Sequence, residues 1–84
     1  MGMPNWVDAA TIERKLREEA GRIAAGLGHR MTSWIAVPAQ AGRFTARCVV
    51  CSDSMIISVR QLRAAPIAGA AVQLRCRAAA LRSA

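Results

Sequence analysis

Three cysteines and one histidine make a single spacing pattern in this 84-residue chain. Two of the cysteines stand two residues apart, and the pattern His-x18-Cys-x2-Cys-x24-Cys uses every cysteine and the only histidine. Thiolates and imidazoles are ligands that zinc prefers, and Cys3His is a common closed tetrahedral shell. We therefore expect one structural Zn²⁺ held by His29, Cys48, Cys51 and Cys76.

The small size of the chain makes such a metal useful for folding. A domain of this length sits near the limit at which a hydrophobic core alone gives a stable fold. Much of the apolar content is alanine, and the aromatic residues are limited to Trp6, Trp34 and Phe44. A structural zinc site contributes on the order of 10–16 kcal/mol of apparent binding free energy to folding. The metal can therefore supply stability that this core lacks.

Two other uses of the cysteines stay open. Disulfides would leave one of the three cysteines unpaired. A Cys-x2-Cys pair at the start of a helix is a redox motif, but the residues after Cys51 favour a strand and the chain is too short for a thioredoxin-like fold. Buried cysteines can also act as small apolar side chains without any ligand.

The sequence predicts that the protein is not an enzyme and has no small-molecule substrate. A shell of four protein ligands leaves no position for a reactive water molecule. No glutamate stands beside the cysteines to serve as the base that zinc deaminases require. No Ser/His/Asp set, phosphate-binding loop or carboxylate pair can be assembled from the remaining residues.

The positive charge is concentrated in the cysteine-bearing part of the chain. Residues 1–28 carry four basic and four acidic side chains, whereas residues 29–84 carry eight arginines against Asp53, so this part holds the whole net charge of +7. A basic surface on a small domain favours nucleic acid or another polyanion. The candidate phosphate-binding residues are Arg43, Arg47, Arg60, Arg63, Arg75 and Arg77.

The abundance of arginine can also arise without any nucleic-acid partner. Three thiolates and a neutral imidazole around Zn²⁺ leave a net charge of about −1. Arg47, Arg75 and Arg77 stand next to the ligands and could offset that charge. A GC-rich genome also enriches arginine and alanine together, and the chain has eleven arginines against one lysine.

Hydrophobic spacing predicts one amphipathic helix over about residues 9–25. Apolar residues recur at three- and four-residue steps, and oppositely charged pairs four residues apart cover the other face. Gly26 and Gly28 supply the stop signal. The apolar stripe comprises Ile12, Leu16, Ala20, Ile23 and Leu27.

The rest of the chain predicts a small antiparallel sheet of three to four strands, so the fold class is α+β. We expect strands at 32–37, 43–48, 54–59 and 71–76, the first two forming a hairpin around Gly42, with a loop at 60–70. Cys76 would then arrive on the last strand. The whole chain, 1–84, is predicted to be one domain, with the zinc-ribbon-like sheet at about 29–76 and a short tail at 77–84.

One stretch of about 50 residues resembles a known group of proteins. The motifs Gly28-His29-x4-Trp34, Ala46-x-Cys48-x2-Cys51 and Gly69-x-Ala71-x4-Cys76 are similar to those of small zinc-ribbon-like proteins of bacteria and phages. The resemblance covers residues 28–76. It implies a Cys3His metal site at His29, Cys48, Cys51 and Cys76 and gives no activity. The main departure from these proteins is the missing glycine after Cys51, where Ser52 stands.

Two functions fit these features. The first is a zinc-binding module that binds nucleic acid or a ribonucleoprotein through its arginine-rich sheet. The second is a protein-interaction adaptor, or a phage-type inhibitor of a host nucleic-acid machine (anti-CRISPR-like), which would use exposed apolar groups such as Trp6, Met31 and Met55. The N-terminus does not resemble a signal peptide and no stretch is long enough to span a bilayer, so we expect a cytoplasmic protein that binds no membrane.

Overall fold

One helix packs against a four-stranded antiparallel sheet. The computed structural model describes residues 9–59 and 65–77. The strand order is β1-β2-β3-β4, which confirms the predicted α+β class. The elements are α1 (Ala9–Gly26), β1 (Ile35–Ala36), β2 (Arg43–Arg47), β3 (Ser54–Ser58), β4 (Ile67–Ala68) and a 3-10 helix at Ala70–Val72.

The predicted helix is confirmed to within one residue at its end. Its buried face differs from the predicted stripe, because Ala24 is fully buried together with Ala20 while Ile12 is 36% exposed. Alanines let the helix backbone lie close to the sheet. Their small side chains, however, remove little apolar area from water and so contribute little hydrophobic stabilisation. Glu13 pairs with Arg17 four residues later, as predicted, and the Arg17 guanidinium also lies over the ring of Phe44.

The helix ends in a Schellman motif, and this motif places His29. Gly28 takes a positive φ of 87°. Its N–H donates to the Ala25 carbonyl, and the His29 N–H donates to the Ala24 carbonyl, both at 3.0 Å. This pairing is typical of a glycine that follows a helix, since only glycine adopts that backbone conformation without strain.

The two faces of the sheet differ in composition. The residues opposite each other include Ala46 and Met55, and Phe44 and Ile57. These four side chains belong to the core beneath α1. Side chains alternate between faces along a strand, so Arg43, Thr45 and Arg47 lie on the face turned away from the helix.

The first strand is shorter than predicted. Ile35 and Ala36 alone form the paired strand β1, opposite Thr45 and Phe44. Nearer the helix the pairing is interrupted, because the Thr32 hydroxyl accepts a hydrogen bond from the Arg47 N–H in place of a backbone carbonyl. The predicted hairpin is present, and Gly42 within it has a positive φ of 81°.

The C-terminal part of the prediction is wrong in two places. Residues 67 and 68, expected in a loop, form β4 and pair with β3. The strand expected at 71–76 is absent from the described residues up to 77: residues 70–72 form a 3-10 helix, and the Leu74 N–H then donates to the Ala70 carbonyl at 2.8 Å. Cys76 therefore arrives on an irregular segment, while residues 60–64 and most of the predicted tail lie outside the described residues.

The main core is small, as the composition indicated. Within the described ranges, the largest fully buried side chains of this core are Met55 and Ile57, and the next largest in the protein are Cys48 and Cys76. Met55, which we expected on the surface, is 1% exposed. Among the described residues, neither helix has the length and apolar character that a membrane crossing requires.

Candidate metal centre

The structure brings all four predicted ligands together in one buried cluster. One potential ligand atom from each of the four lies within 4.8 Å of the others. The exposed fraction is 1% for Cys48 and Cys76, 6% for His29 and 9% for Cys51. The cluster could therefore hold a metal ion out of contact with bulk water.

The spacing of the ligand atoms fits a tetrahedral ion better than a covalent bond between cysteines. The sulfurs of Cys48 and Cys76 are 3.9 Å apart, and Cys51 Sγ is 3.4 Å from His29 Nδ1. A zinc ion with bonds of about 2.3 Å to sulfur and 2.0 Å to nitrogen separates two sulfurs by about 3.8 Å, and sulfur from nitrogen by about 3.5 Å. A disulfide would require about 2.0 Å between sulfurs.

The tautomer of His29 is set by a backbone carbonyl. His29 Nε2 lies 2.7 Å from the carbonyl oxygen of Leu74. Because a carbonyl only accepts, Nε2 must carry the proton, and in the neutral ring Nδ1 then presents its lone pair toward Cys51. Ligating histidines commonly fix their second nitrogen in this way. The imidazole is thus oriented for a cation by residues that surround it.

The Cys48–Cys51 segment is the turn of the β2–β3 hairpin. The Val50 N–H points at Cys48 Sγ at 3.4 Å, and the Ser52 N–H donates to the Cys48 carbonyl at 3.0 Å. Ser52 closes the turn with a positive φ of 70°. Glycine would adopt this backbone conformation freely, whereas the serine found here holds it with strain.

Backbone hydrogen bonds tie the ligand segments to the stretch that follows α1. The Cys76 N–H donates to the Leu27 carbonyl and the Val49 N–H to the Arg30 carbonyl, each at 2.8 Å. Met31 pairs with Cys48 in an isolated antiparallel β-bridge, and its side chain packs against the cluster of the three cysteines. The stretch from residue 27 to residue 31 therefore contacts both the hairpin turn and the C-terminal segment.

The pKa values of the thiols differ with their surroundings. Burial alone would raise the pKa of Cys48, but hydrogen bonds from the backbone N–H groups of Cys51 and Val50, with further help from His29, lower it to about 5. Burial and the neighbouring sulfurs raise the pKa of Cys51. One thiolate is therefore favoured, and further negative charge at this site needs a cation.

The pKa of His29 reflects opposing effects. Burial acts to lower it, whereas the Leu74 carbonyl and the Cys48 thiolate act to raise it. The balance places the pKa above the ordinary value of histidine. The ring therefore sits in a field that attracts positive charge, which a proton or a metal ion can supply.

The six predicted phosphate-binding arginines are placed differently. Arg77 contacts the hairpin turn. Its Nη2 donates to the Cys51 carbonyl at 2.8 Å and lies 3.8 Å from Asp53 Oδ1. Arg47 and Arg75 are exposed, and Arg43 Nη1 donates to the Gln40 side chain. Arg60 and Arg63 lie outside the described residues.

Two features of the site have no signal in the sequence. Leu74 acts through a backbone carbonyl, which no residue type reveals. The apolar side chains that surround the cluster at the surface also differ from the expected ones: Val49, Val50 and Leu74 are 58%, 46% and 59% exposed. Met31 is half-buried and Trp6 lies outside the described residues.

Comparisons of the chain with protein-family models, with curated proteins and with solved structures find no match. The interpretation of the cluster therefore rests on its own geometry and chemistry.

Proposed function

We propose that this protein is a non-enzymatic domain held together by a structural Zn²⁺ and that it binds nucleic acid through its arginine-rich sheet region. The observation that carries the proposal is the burial of one imidazole nitrogen and three thiol sulfurs within 4.8 Å of one another. We also propose that the resemblance of residues 28–76 to small zinc-ribbon-like proteins reflects the same kind of metal site.

The ligand set favours zinc among the biological metals. Hard cations such as Ca²⁺ and Mg²⁺ take oxygen ligands, whereas thiolates with imidazole suit zinc in a tetrahedral shell. Four protein ligands close that shell, which is typical of structural rather than catalytic zinc. The small alanine-rich core supplies the reason for a metal, because few large side chains are buried elsewhere in the described part of the chain.

The nucleic-acid part of the proposal rests on charge. Between residues 29 and 59 and between 65 and 77, the structure describes five arginines and one acidic residue, Asp53, which already lies near Arg77. A metal site of this composition carries a charge of about −1. The remaining arginines exceed what is needed to balance it, and a phosphate backbone is a natural partner for the surplus.

A specific observation supports a protein partner as the second candidate. Val49, Val50 and Leu74 are exposed apolar side chains that stand beside metal ligands or within two residues of them in the sequence. Exposed apolar groups on a small rigid site are typical of protein interfaces. This candidate is the adaptor or inhibitor function, and it requires no phosphate contact.

Two measurements test the proposal. Atomic emission on the purified protein should find one equivalent of zinc, and protein prepared without bound metal that keeps its full near-UV circular dichroism would contradict the structural role. Mixed-sequence DNA and RNA oligonucleotides should bind at low salt, with an affinity that falls steeply as salt is added. No binding at low salt would remove the nucleic-acid function, and a tight, salt-insensitive complex with one protein would favour the second candidate.

A further inference from the structure

A shallow groove of about 370 Å³ lies on the face of the sheet that is turned away from α1. Ile35 and Thr45 stand opposite each other in it, on β1 and β2. Arg47 and Ser54, paired across β2 and β3, line it as well. The groove therefore combines an aliphatic side chain, hydroxyl groups and a guanidinium within one small surface.

The floor of the groove continues as a row across the sheet. Thr45 faces Ile56 on β3, and Ile56 faces Ala68 on β4. Ile35 begins this row and is 62% exposed, the largest exposure of any large apolar side chain in the described ranges. An isoleucine so exposed at the mouth of a groove offers a flat apolar surface to a ligand.

Unneutralised positive charge borders the same face. The guanidinium of Arg47 makes no ion pair with any described residue, and the single acidic side chain in 29–59 and 65–77, Asp53, lies near Arg77. Arg43 lies on the same face four residues away, about 13 Å along the strand. The two arginines are far enough apart to contact different phosphates of one strand.

We propose that this groove binds a segment of single-stranded nucleic acid, with an unpaired base against Ile35 and the flanking phosphates at Arg47 and Arg43. The inference rests on the proposed function and assigns to it a surface and a class of nucleic acid. The face of a base can cover Ile35 only when the base is unstacked and free of its partner strand, because pairing and stacking hide the base faces in a duplex. The uncompensated charge beside the apolar floor favours this ligand over an apolar protein segment.

The test compares variants of the full chain, loaded with zinc, by fluorescence anisotropy with a labelled mixed-sequence 12-nucleotide strand and with its duplex. The wild type should bind the single strand at least about tenfold more tightly than the duplex. Ile35→Ser should weaken single-strand binding about fivefold without changing its salt dependence. Arg47→Gln should weaken it and reduce the slope of log K against log salt by about 0.7.

Matched substitutions on α1 are the controls. Ile12→Ser removes an isoleucine from the helix, and Arg14→Gln removes the same charge as Arg47→Gln from an exposed i,i+4 pair. Both should bind the single strand as the wild type does. Zinc content and circular dichroism verify that each variant is folded.

The outcomes separate this site from the proposed function. If the wild type binds oligonucleotides but Ile35→Ser and Arg47→Gln behave as the helix controls do, nucleic acid binds elsewhere and the groove is not the site. Equal affinity for the duplex would overturn the single-strand specificity, and a protein complex that is lost in Ile35→Ser would assign the groove to a protein. A wild type that binds no oligonucleotide at low salt removes the proposed function together with this inference.

Discussion

The ring of His29 donates through Nε2 to the carbonyl oxygen of Leu74 at 2.7 Å. This hydrogen bond joins the stretch that follows α1 to the segment that carries Cys76. The other ring nitrogen of His29, Nδ1, faces Cys51 Sγ. The Cys76 N–H meets the Leu27 carbonyl in the same region. One side chain–backbone and one backbone–backbone hydrogen bond therefore join two distant parts of the chain and position His29 and Cys76.

Substitution of His29 separates its role as a ligand from its contact with Leu74. His29→Ala removes both, so we expect zinc affinity to fall by at least about 100-fold. His29→Cys keeps four ligands and loses the Leu74 contact, so its zinc affinity should fall by only about tenfold. Competition with a chromophoric chelator measures both values. Wild-type affinity in His29→Ala would show that the imidazole is not a ligand.

Cys76→Ser distinguishes the metal site from a redox pair. Loss of the third sulfur should remove the zinc and release the C-terminal segment, because within the described ranges few other buried side chains hold that segment. We expect the variant to match the chelated wild type in near-UV circular dichroism and in hydrogen exchange at the Cys76 position, whose N–H is bonded to Leu27. A redox function of Cys48 and Cys51 predicts instead that Cys76→Ser keeps the native spectrum.

The buried cluster of His29, Cys48, Cys51 and Cys76 could be predicted from the sequence because it consists of rare residue types. Each cysteine and the histidine has few alternative uses, and the spacing already limits how they can meet. The helix was equally clear from its periodicity and from Gly28. Both predictions depend on residue types and their spacing, which can be read directly from the sequence.

The C-terminal segment could not be predicted for a physical reason. Residues 64–72 consist mostly of alanine with scattered apolar residues, and this composition fits a strand, a turn or a short helix. Tertiary contacts decide among them, since Gly69 approaches the backbone of β3 and directs the chain into the 3-10 helix. Pairing of Ile67 with Ile57 is likewise a long-range choice. The pattern of residue types does not indicate the contact of Gly69 with β3 or the pairing of Ile67 with Ile57.

Ser52→Gly should stabilise the zinc-loaded protein. Ser52 holds a positive φ of 70°, which costs a residue with a Cβ more than it costs glycine. Glycine also has a larger entropy in the unfolded chain, which offsets part of the strain that is relieved. We therefore expect a net gain of about 0.5–1 kcal/mol in the free energy of unfolding. Denaturant titration at saturating zinc measures it.

Two alanines in the β1–β2 turn give the matched controls for Ser52→Gly. Ala39 also has a positive φ, 62°, so Ala39→Gly should stabilise the protein similarly. Ala41 has no positive φ, and Ala41→Gly should destabilise it by about 0.5–1 kcal/mol. Destabilisation by Ser52→Gly of the same size as by Ala41→Gly would contradict strain at the hairpin turn.

Gly69→Ala should destabilise the protein because the added methyl group has no room. Gly69 has a φ of 114°, and a Cβ there would meet the Ser54 carbonyl and lie 2.8 Å from the Cα of Met55. These atoms belong to β3 and to the core, so they cannot move without disturbing the turn that leads to Cys76. We expect a loss of about 2 kcal/mol or more in the free energy of unfolding, measured by thermal or denaturant unfolding with zinc bound.

Gly21→Ala is the control. A Cβ at this position on α1 would meet nothing within 4 Å, so the substitution should instead stabilise the protein by about 0.5–1 kcal/mol. If both alanine variants raised stability, the close approach of Gly69 to β3 would be wrong, and with it the path by which the chain reaches its last ligand.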